Sequence, residues 1–142
     1  MDIAWGIVII VLGGLAWGGQ TLSWFAPATA TRLGLADAED SVDGVFWADA
    51  VGEALWDALS LWVLLAAGIL LVVGHQAWAY LGLIGGGMYI YFGGRGILVR
   101  LELRRRGIRI GEAGSVRLGM LALGVWAVAG LITAVAAIND LA

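Results

Sequence analysis

The sequence predicts an all-α fold, an up-down bundle of four helices that cross a membrane, and three observations lead to it. Of the 142 residues, 61% are hydrophobic and 13% are charged, whereas a soluble domain usually has about a quarter charged residues. The apolar residues form four long segments, each reaching the roughly 20 residues that a helix needs to cross a bilayer. All eight basic residues are arginines, and four crossings place them toward one face.

The segments follow one another as a single domain over the whole chain. The predicted spans are residues 3–25, 46–73, 77–99 and 116–138. Only residues 74–76 separate the second span from the third, so these two helices must form an antiparallel hairpin. No positive charge precedes the first apolar segment, and a secretory signal would need one, so we expect a retained helix. Pro27 favours a short helix in the membrane surface over residues 27–35.

The loops differ in charge, and the difference predicts the orientation. Residues 100–115 hold five arginines, while residues 26–45 hold Arg32 and four acidic side chains. In a four-span bundle these two loops lie on the same side, and short positive loops stay cytoplasmic. We therefore expect a multi-pass protein of the cell membrane, with its arginine-rich loop in the cytoplasm and both termini outside. We then expect the lipid bilayer to be a partner of the protein.

Ionisable side chains recur on one face of the second span. Asp49, Glu53 and Asp57 are spaced four residues apart, which aligns them along one side of a helix. At about 1.5 Å per residue, Asp57 falls inside the hydrocarbon near its cytoplasmic edge, and Glu53 falls at the boundary. Arg95 on the third span and Gln20 on the first fall at the same depth.

An unpaired charge at this depth is costly, so we expect Arg95 to pair with Asp57 or Glu53. The residues of the predicted polar cluster are Asp57, Glu53, Arg95, Gln20 and Tyr91, with Ser60 as an alternative to Tyr91. Two interpretations stay open. The cluster is a cytoplasmic pocket for a small polar or anionic headgroup, or it is an interhelical salt bridge that fixes the register of the helices.

Pairs of glycines four residues apart occur on two of the spans. The first span has Gly14 and Gly18, and the third has Gly82 and Gly86. Small residues at this spacing form a strip on which another helix can lie closely. The strips predict packing inside the bundle, or an interface with a second copy of the chain or another membrane protein.

The residue inventory excludes several kinds of chemistry. The chain has no cysteine and one histidine, so disulfides, thiolate metal sites and bis-histidine haem cannot form within it. His75 falls on the opposite face from the serines, so we expect no catalytic triad, and we predict neither a metal nor a cofactor. The net charge of −3, without interleaved aromatic residues, argues against nucleic acid. The arginines at 104–106 and Arg109 instead favour a topological role or anionic lipid headgroups.

Three short features resemble the DoxX-like group of small four-helix prokaryotic membrane proteins. They are Phe25-Ala26-Pro27 after the first span, then Leu33-Gly34-Leu35, and then an acidic stretch before a second span rich in small residues. The resemblance implies a four-helix membrane fold. It also implies a place in a group whose members include accessory subunits of membrane redox systems, but it carries over no functional residue.

The leading hypothesis is a non-catalytic accessory or scaffold subunit of a membrane complex, because glycine strips are present and a catalytic set is absent. An alternative is an oligomeric transporter or channel for a small solute or ion, with the polar cluster as its cytoplasmic vestibule. A further alternative is a lipid- or quinone-associated subunit of a membrane redox system, with Trp56, Trp62 or Tyr91 against the ring. Stable heteromeric partners in mild detergent favour the subunit, and solute flux in liposomes favours the transporter.

Overall fold

The structure is a computed structural model that describes residues 3–142. Within this range the chain forms six α-helices and one short 3₁₀-helix without any β-strand, so the all-α prediction is confirmed. The α-helices are α1 (Ile3–Phe25), α2 (Pro27–Arg32), α3 (Gly44–Ser60), α4 (Trp62–Val72), α5 (Trp78–Arg105) and α6 (Ala113–Leu141), and the 3₁₀-helix is Glu39–Ser41.

Three stretches of the described chain are long and apolar enough to cross a membrane: Ile3–Phe25, Gly44–Val72 and Ala113–Leu141. The second of them contains both α3 and α4, because only Leu61 separates these helices. Leu61 keeps right-handed helical angles, with φ at −72° and ψ at −10°. The chain therefore continues in nearly the same direction from α3 into α4.

Helix α5 is not among the three apolar stretches, although its 28 residues give it a length of about 42 Å. Seven glycines and several tyrosines dilute its apolar character, and arginines occupy its C-terminal third. The predicted crossing by residues 77–99 is therefore the one that length and composition alone do not support.

One end of the bundle carries the turn between α4 and α5, and we call it the hairpin end. The Trp78 indole beside this turn donates a hydrogen bond to Asp140 near the end of α6 (2.9 Å). The Trp5 indole, at the start of α1, donates to Thr133 of α6 (3.2 Å). The start of α1, the turn around His75 and the end of α6 thus lie together.

The opposite end holds the loop after α2 and the loop after α5, and we call it the arginine end. The backbone N–H of Asp43 donates to the Arg109 carbonyl (2.7 Å), and the Arg109 guanidinium donates to the Val42 carbonyl (3.2 Å). Ser115 on α6 donates to the carboxylate of Asp37 (2.8 Å). The two loops are therefore bonded to each other, so successive long helices alternate in direction.

Helix α5 packs against its neighbours through glycines. A Cβ atom at Gly86 would lie 2.6 Å from the carbonyl oxygen of Gly130 on α6, and one at Gly85 would lie 2.8 Å from the Leu64 nitrogen on α4. Gly82 lies on the α6 side as well, where its Cβ position is 3.5 Å from a methyl carbon of α6. The helices thus touch backbone to backbone, which only glycine permits.

The other predicted glycine pair has a different position. A Cβ atom at Gly14 or Gly18 would meet nothing within 4 Å, whereas one at Gly13 would lie 3.1 Å from the Leu65 nitrogen of α4. Gly82 and Gly86 therefore pack inside the bundle. Gly14 and Gly18 lie on the outer side of α1.

A packed layer separates the two ends of the bundle. Tyr89 is fully buried on α5, and its hydroxyl lies 3.2 Å from the carbonyl oxygens of both Gly13 and Leu61. It thereby links α5 to α1 and to the junction of α3 and α4. The Phe92 and Trp126 rings meet edge to face beside it, with centroids 5.9 Å apart.

Candidate functional site

The acidic side chains of α3 meet Arg95 of α5. Arg95 Nη1 donates to Glu53 Oε1 (2.8 Å), and Arg95 Nη2 donates to Asp49 Oδ1 (2.6 Å). Glu53 is one of the two alternative partners that the sequence predicts. Asp49 is a further partner that the sequence does not predict, and Asp57, the other alternative, forms no hydrogen bond with Arg95. One planar guanidinium thus bridges two carboxylates a helical turn apart. We call Asp49, Glu53, Asp57 and Arg95 the acid–arginine cluster.

Burial within the cluster increases along α3. Side-chain exposure falls from 32% at Asp49 to 13% at Glu53, and Asp57 is only 5% exposed. The Oδ2 atom of Asp57 is buried and has no hydrogen-bond partner among residues 3–142. Because an unpartnered charge is expensive to bury, Asp57 is the least satisfied acidic group in the cluster.

The other residues of the predicted cluster do not contact Arg95 by hydrogen bonds. Tyr91 is 64% exposed on the outer side of α5. Ser60 donates to the carbonyl of Trp56 within its own helix (2.8 Å). Gln20 lines the same cavity as Glu53.

This cavity has a volume of about 320 Å³ and lies at the arginine end between α1, α3 and α6. Its polar lining residues are Gln20, Ser23, Asp37, Glu53, Arg100 and Ser115. Its inner end, toward the middle of the bundle, is lined by Leu15, Phe92, Leu123 and Trp126. We call it the lateral cavity. Its lining changes from polar at the arginine end to apolar at the inner end.

The lateral cavity opens sideways between α1 and α6. Leu15 on α1 and Leu118 on α6 both line it, and both are more than half exposed. Closer to the hairpin end the Trp126 indole of α6 reaches α1 and donates to the Leu12 carbonyl (2.9 Å). The two helices do not pack closely against each other, so the cavity reaches the outer surface between them where no such side chain bridges the gap.

Arg100 is the basic side chain of the lateral cavity. Its guanidinium carbon lies 5.3 Å from the centroid of the Phe46 ring, a cation–π distance. Its Nη1 donates to the carbonyl of Gly96 (3.0 Å). No carboxylate in the described part of the chain forms an ion pair with it. Arg100 therefore has further N–H donors for a ligand.

The lateral cavity arises from the spacing between α1 and α6 rather than from any local pattern in the sequence, so the sequence does not predict it. Arg100 lies on α5 because this helix continues to Arg105, six residues beyond the predicted span. The aromatic residues expected against a ring are exposed on the outer surface: Trp56, Trp62 and Tyr91. Those that line the lateral cavity are Phe46, Trp47, Phe92 and Trp126.

A separate group of ion pairs faces solvent at the arginine end. Arg105 and Arg106 both donate to Glu102, at 2.8 and 2.7 Å. These hydrogen bonds hold the pKa of Glu102 below its usual value. Exposed pairs of this kind contribute little to stability. They also lie outside the lining of the lateral cavity.

The lateral cavity has hydroxyl groups that are hydrogen-bonded within the chain. Its two serines donate to the Gly19 carbonyl and to Asp37, not to a histidine. Within residues 3–142, no three His, Asp or Glu side chains are arranged to hold a metal ion. The chain matches no protein-family model, no curated protein and no solved structure.

Proposed function

We propose that the chain is a membrane protein of four spans that binds an amphipathic, lipid-type molecule in the lateral cavity without changing it chemically. One observation carries this proposal, namely the form of the cavity. It has polar groups at the arginine end, an apolar inner end and an opening on the outer side between α1 and α6. A molecule dissolved in the bilayer would enter through that opening.

The outer surface supports membrane insertion. Large apolar side chains are exposed on the outside of the long helices, among them Ile7, Val11, Leu121, Val125 and Val128. A soluble monomer rarely exposes so large a contiguous apolar surface. Lipid as the surrounding solvent accounts for it.

The path of the chain supports the fourth crossing. α5 begins beside the turn around His75 and ends beside Arg109, at opposite ends of the bundle. If the neighbouring stretches α3–α4 and α6 cross the bilayer, α5 crosses with them. Its polar groups then lie near the arginine end, which the positive-inside rule places in the cytoplasm.

The charges in the lateral cavity support an uncharged headgroup. The carboxylates of Asp37 and Glu53 disfavour an anion, and the guanidinium of Arg100 disfavours a cation. Arg100 and the Gln20 amide supply N–H donors for oxygen acceptors. A quinone ring or a diacylglycerol fits this pattern, and a chain or tail would lie against Leu15 and Trp126.

The inner end of the cavity makes transport a weaker proposal. The packed layer around Tyr89, Phe92 and Leu123 closes the route toward the hairpin end. A transporter would need polar groups beyond that layer, and the buried residues there are apolar apart from Thr133, whose hydroxyl donates to the Ala129 carbonyl (2.7 Å).

Filling the cavity tests the proposal. Gly119 lines the lateral cavity and Gly124 does not, yet a Cβ atom at either would meet nothing within 4 Å. We expect Gly119→Leu to lose co-purifying amphipathic molecules, and to lose quenching of Trp47 and Trp126 fluorescence by an added short-chain quinone or a brominated lipid. Gly124→Leu should retain both.

Native mass spectrometry in mild detergent measures what co-purifies. Equal retention by the two variants, or no retained molecule and no quenching in the wild type, contradicts the proposal.

An accessory or scaffold subunit is the second candidate, and the outward position of Gly14 and Gly18 favours it. A helix of a partner or of a second copy would fit on that strip. The resemblance to the DoxX-like group agrees with this role and stays a prediction. Changing both glycines to leucine should abolish association in detergent, whereas Gly52→Leu, on exposed α3 surface, should not.

A further inference from the structure

A second cavity, of about 550 Å³, lies at the arginine end beneath the turn from α5 to α6. Its basic lining residues are Arg104, Arg109 and Arg117, and no acidic residue of the described chain lines it. We call it the arginine cavity. Ile110 and Val116 line both this cavity and the lateral cavity, so they form the partition between the two.

The three arginines are not neutralised by carboxylates in the described chain. Arg104 and Arg117 form no ion pair there, and Arg109 donates only to the backbone carbonyls of Asp40 and Val42 (3.1 and 3.2 Å). The carbonyl contacts hold the Arg109 side chain in place without cancelling its charge. The arginine cavity therefore has a surplus of positive charge.

Apolar side chains continue from the arginines toward the outer surface of α6. Met120 and Leu121 lie about one turn beyond Arg117 and line the same cavity. Leu121 is exposed on the outer surface of the bundle. The cavity thus has a cationic rim and an apolar wall that leads along the helix.

We propose that the arginine cavity binds the phosphate of an anionic phospholipid, with an acyl chain along Met120 and Leu121. Guanidinium groups suit phosphate because their planar forks form paired, charge-assisted hydrogen bonds. The apolar wall favours a lipid over free phosphate. This site differs from the lateral cavity in position and in ligand charge. It depends on the proposed membrane insertion but not on occupancy of the lateral cavity.

Two double variants with the same change in net charge test the site. Arg104→Gln with Arg117→Gln removes two arginines that line the cavity. Arg105→Gln with Arg106→Gln removes two arginines of the same region that pair with Glu102 and lie outside the cavity. Binding of phosphatidylglycerol and of phosphatidylcholine to the full chain is measured by native mass spectrometry in mild detergent.

We expect the wild type to prefer phosphatidylglycerol. The cavity double variant should lose about 20- to 30-fold in affinity, at about 5-fold for each arginine, and the control should lose much less. An equal loss in both double variants would mean that bulk surface charge attracts the lipid, and it would overturn the site. So would unchanged binding in the cavity variant.

A soluble headgroup separates the two sources of phosphate. Glycerol phosphate should compete weakly, because it lacks the chain that contacts Met120 and Leu121. Competition as strong as that of the lipid would overturn the assignment to a phospholipid. Release of the wild type from membranes by an alkaline wash would instead refute membrane insertion, and with it the proposed function.

Discussion

The ion pairs between arginines and carboxylates differ in how deeply they are buried. Arg95 is partly buried and holds Asp49 and Glu53, whereas Arg106 is 67% exposed and holds Glu102. Water competes for the exposed pair and screens it, so such pairs contribute little. Removing one partner of a shielded pair leaves the others without compensation. Arginine is therefore expected to contribute more to stability at position 95 than at position 106.

Arg95→Gln should lower the free energy of unfolding by about 1–3 kcal/mol, a value between those of exposed and fully buried pairs. Arg106→Gln also removes a guanidinium that pairs with an acidic side chain, but it should not measurably change the free energy of unfolding. Denaturation in mild micelles, followed by circular dichroism, measures both. Equal effects of the two substitutions would show that Arg95 is as well solvated as Arg106.

Asp57→Asn and Asp49→Asn should differ in their effects on stability. Asp57 Oδ2 has no donor in the described chain, and a neutral amide is cheaper to bury than a charge, so Asp57→Asn should leave stability unchanged or raise it. Asp49→Asn weakens a charge-assisted bond to Arg95 (2.6 Å) and should lower stability. Thermal unfolding in detergent compares them, and a loss at Asp57 as large as that at Asp49 contradicts this interpretation.

Part of the acid–arginine cluster was predictable. The four-residue spacing on α3 and the common depth of Glu53 and Arg95 follow from helical rise alone. The prediction named Asp57 and not Asp49 as the alternative to Glu53, whereas the guanidinium of Arg95 holds Asp49. Depth along the helix axis does not fix the direction in which a long side chain extends, or which side of a helix faces a neighbour. The same limit applies to Tyr91, which lies at a suitable depth but on the outer side of α5.

Among the helices, α5 has the amino-acid composition that its contacts with neighbouring helices explain best. It lies between α4 and α6, and glycines on both sides allow the helix axes to approach closely. Close approach increases van der Waals contact between helices, which drives association where apolar burial cannot. The cost is low hydropathy, and for this reason α5 is absent from the apolar stretches.

Gly86→Ala should destabilise the bundle by about 2 kcal/mol or more, because the new methyl would meet the Gly130 carbonyl oxygen and force α5 from α6. Gly87→Ala provides the control. A Cβ atom there meets nothing within 4 Å, and alanine favours a helix over glycine, so stability should stay equal or rise. Thermal unfolding in detergent measures the difference, and similar values for the two variants would place the α5–α6 contact elsewhere.

The glycine strips also show what a sequence pattern leaves unspecified about the contacts between helices. A pair of glycines four residues apart predicts that some helix can approach, but it does not name the helix. Gly82 and Gly86 pack within the chain, while Gly14 and Gly18 have the same spacing and face outward. The lateral cavity was equally unpredictable, because it depends on where α1 and α6 part.

At the scale of the whole molecule, the two ends of the bundle differ in chemistry. The arginine end holds both long loops, the acid–arginine cluster and both cavities, whereas the hairpin end has one short turn and mostly apolar side chains. Such asymmetry is typical of a protein whose two faces meet different compartments. It also means that both proposed ligands would bind at the same end of the bundle.

The number of crossings can be tested directly, because the chain has no native cysteine to label. Single cysteines would replace Ala38, His75 and Gly107, which lie in the loop after α2, the turn before α5 and the loop after α5. If all four long stretches cross, a membrane-impermeant thiol reagent added outside cells should label only His75→Cys. Ala38→Cys and Gly107→Cys should react only after the membrane is opened. Labelling of His75→Cys and Gly107→Cys from the same side would mean that α5 does not cross. Labelling of Ala38→Cys and Gly107→Cys, but not of His75→Cys, from outside would invert the orientation inferred from the arginines.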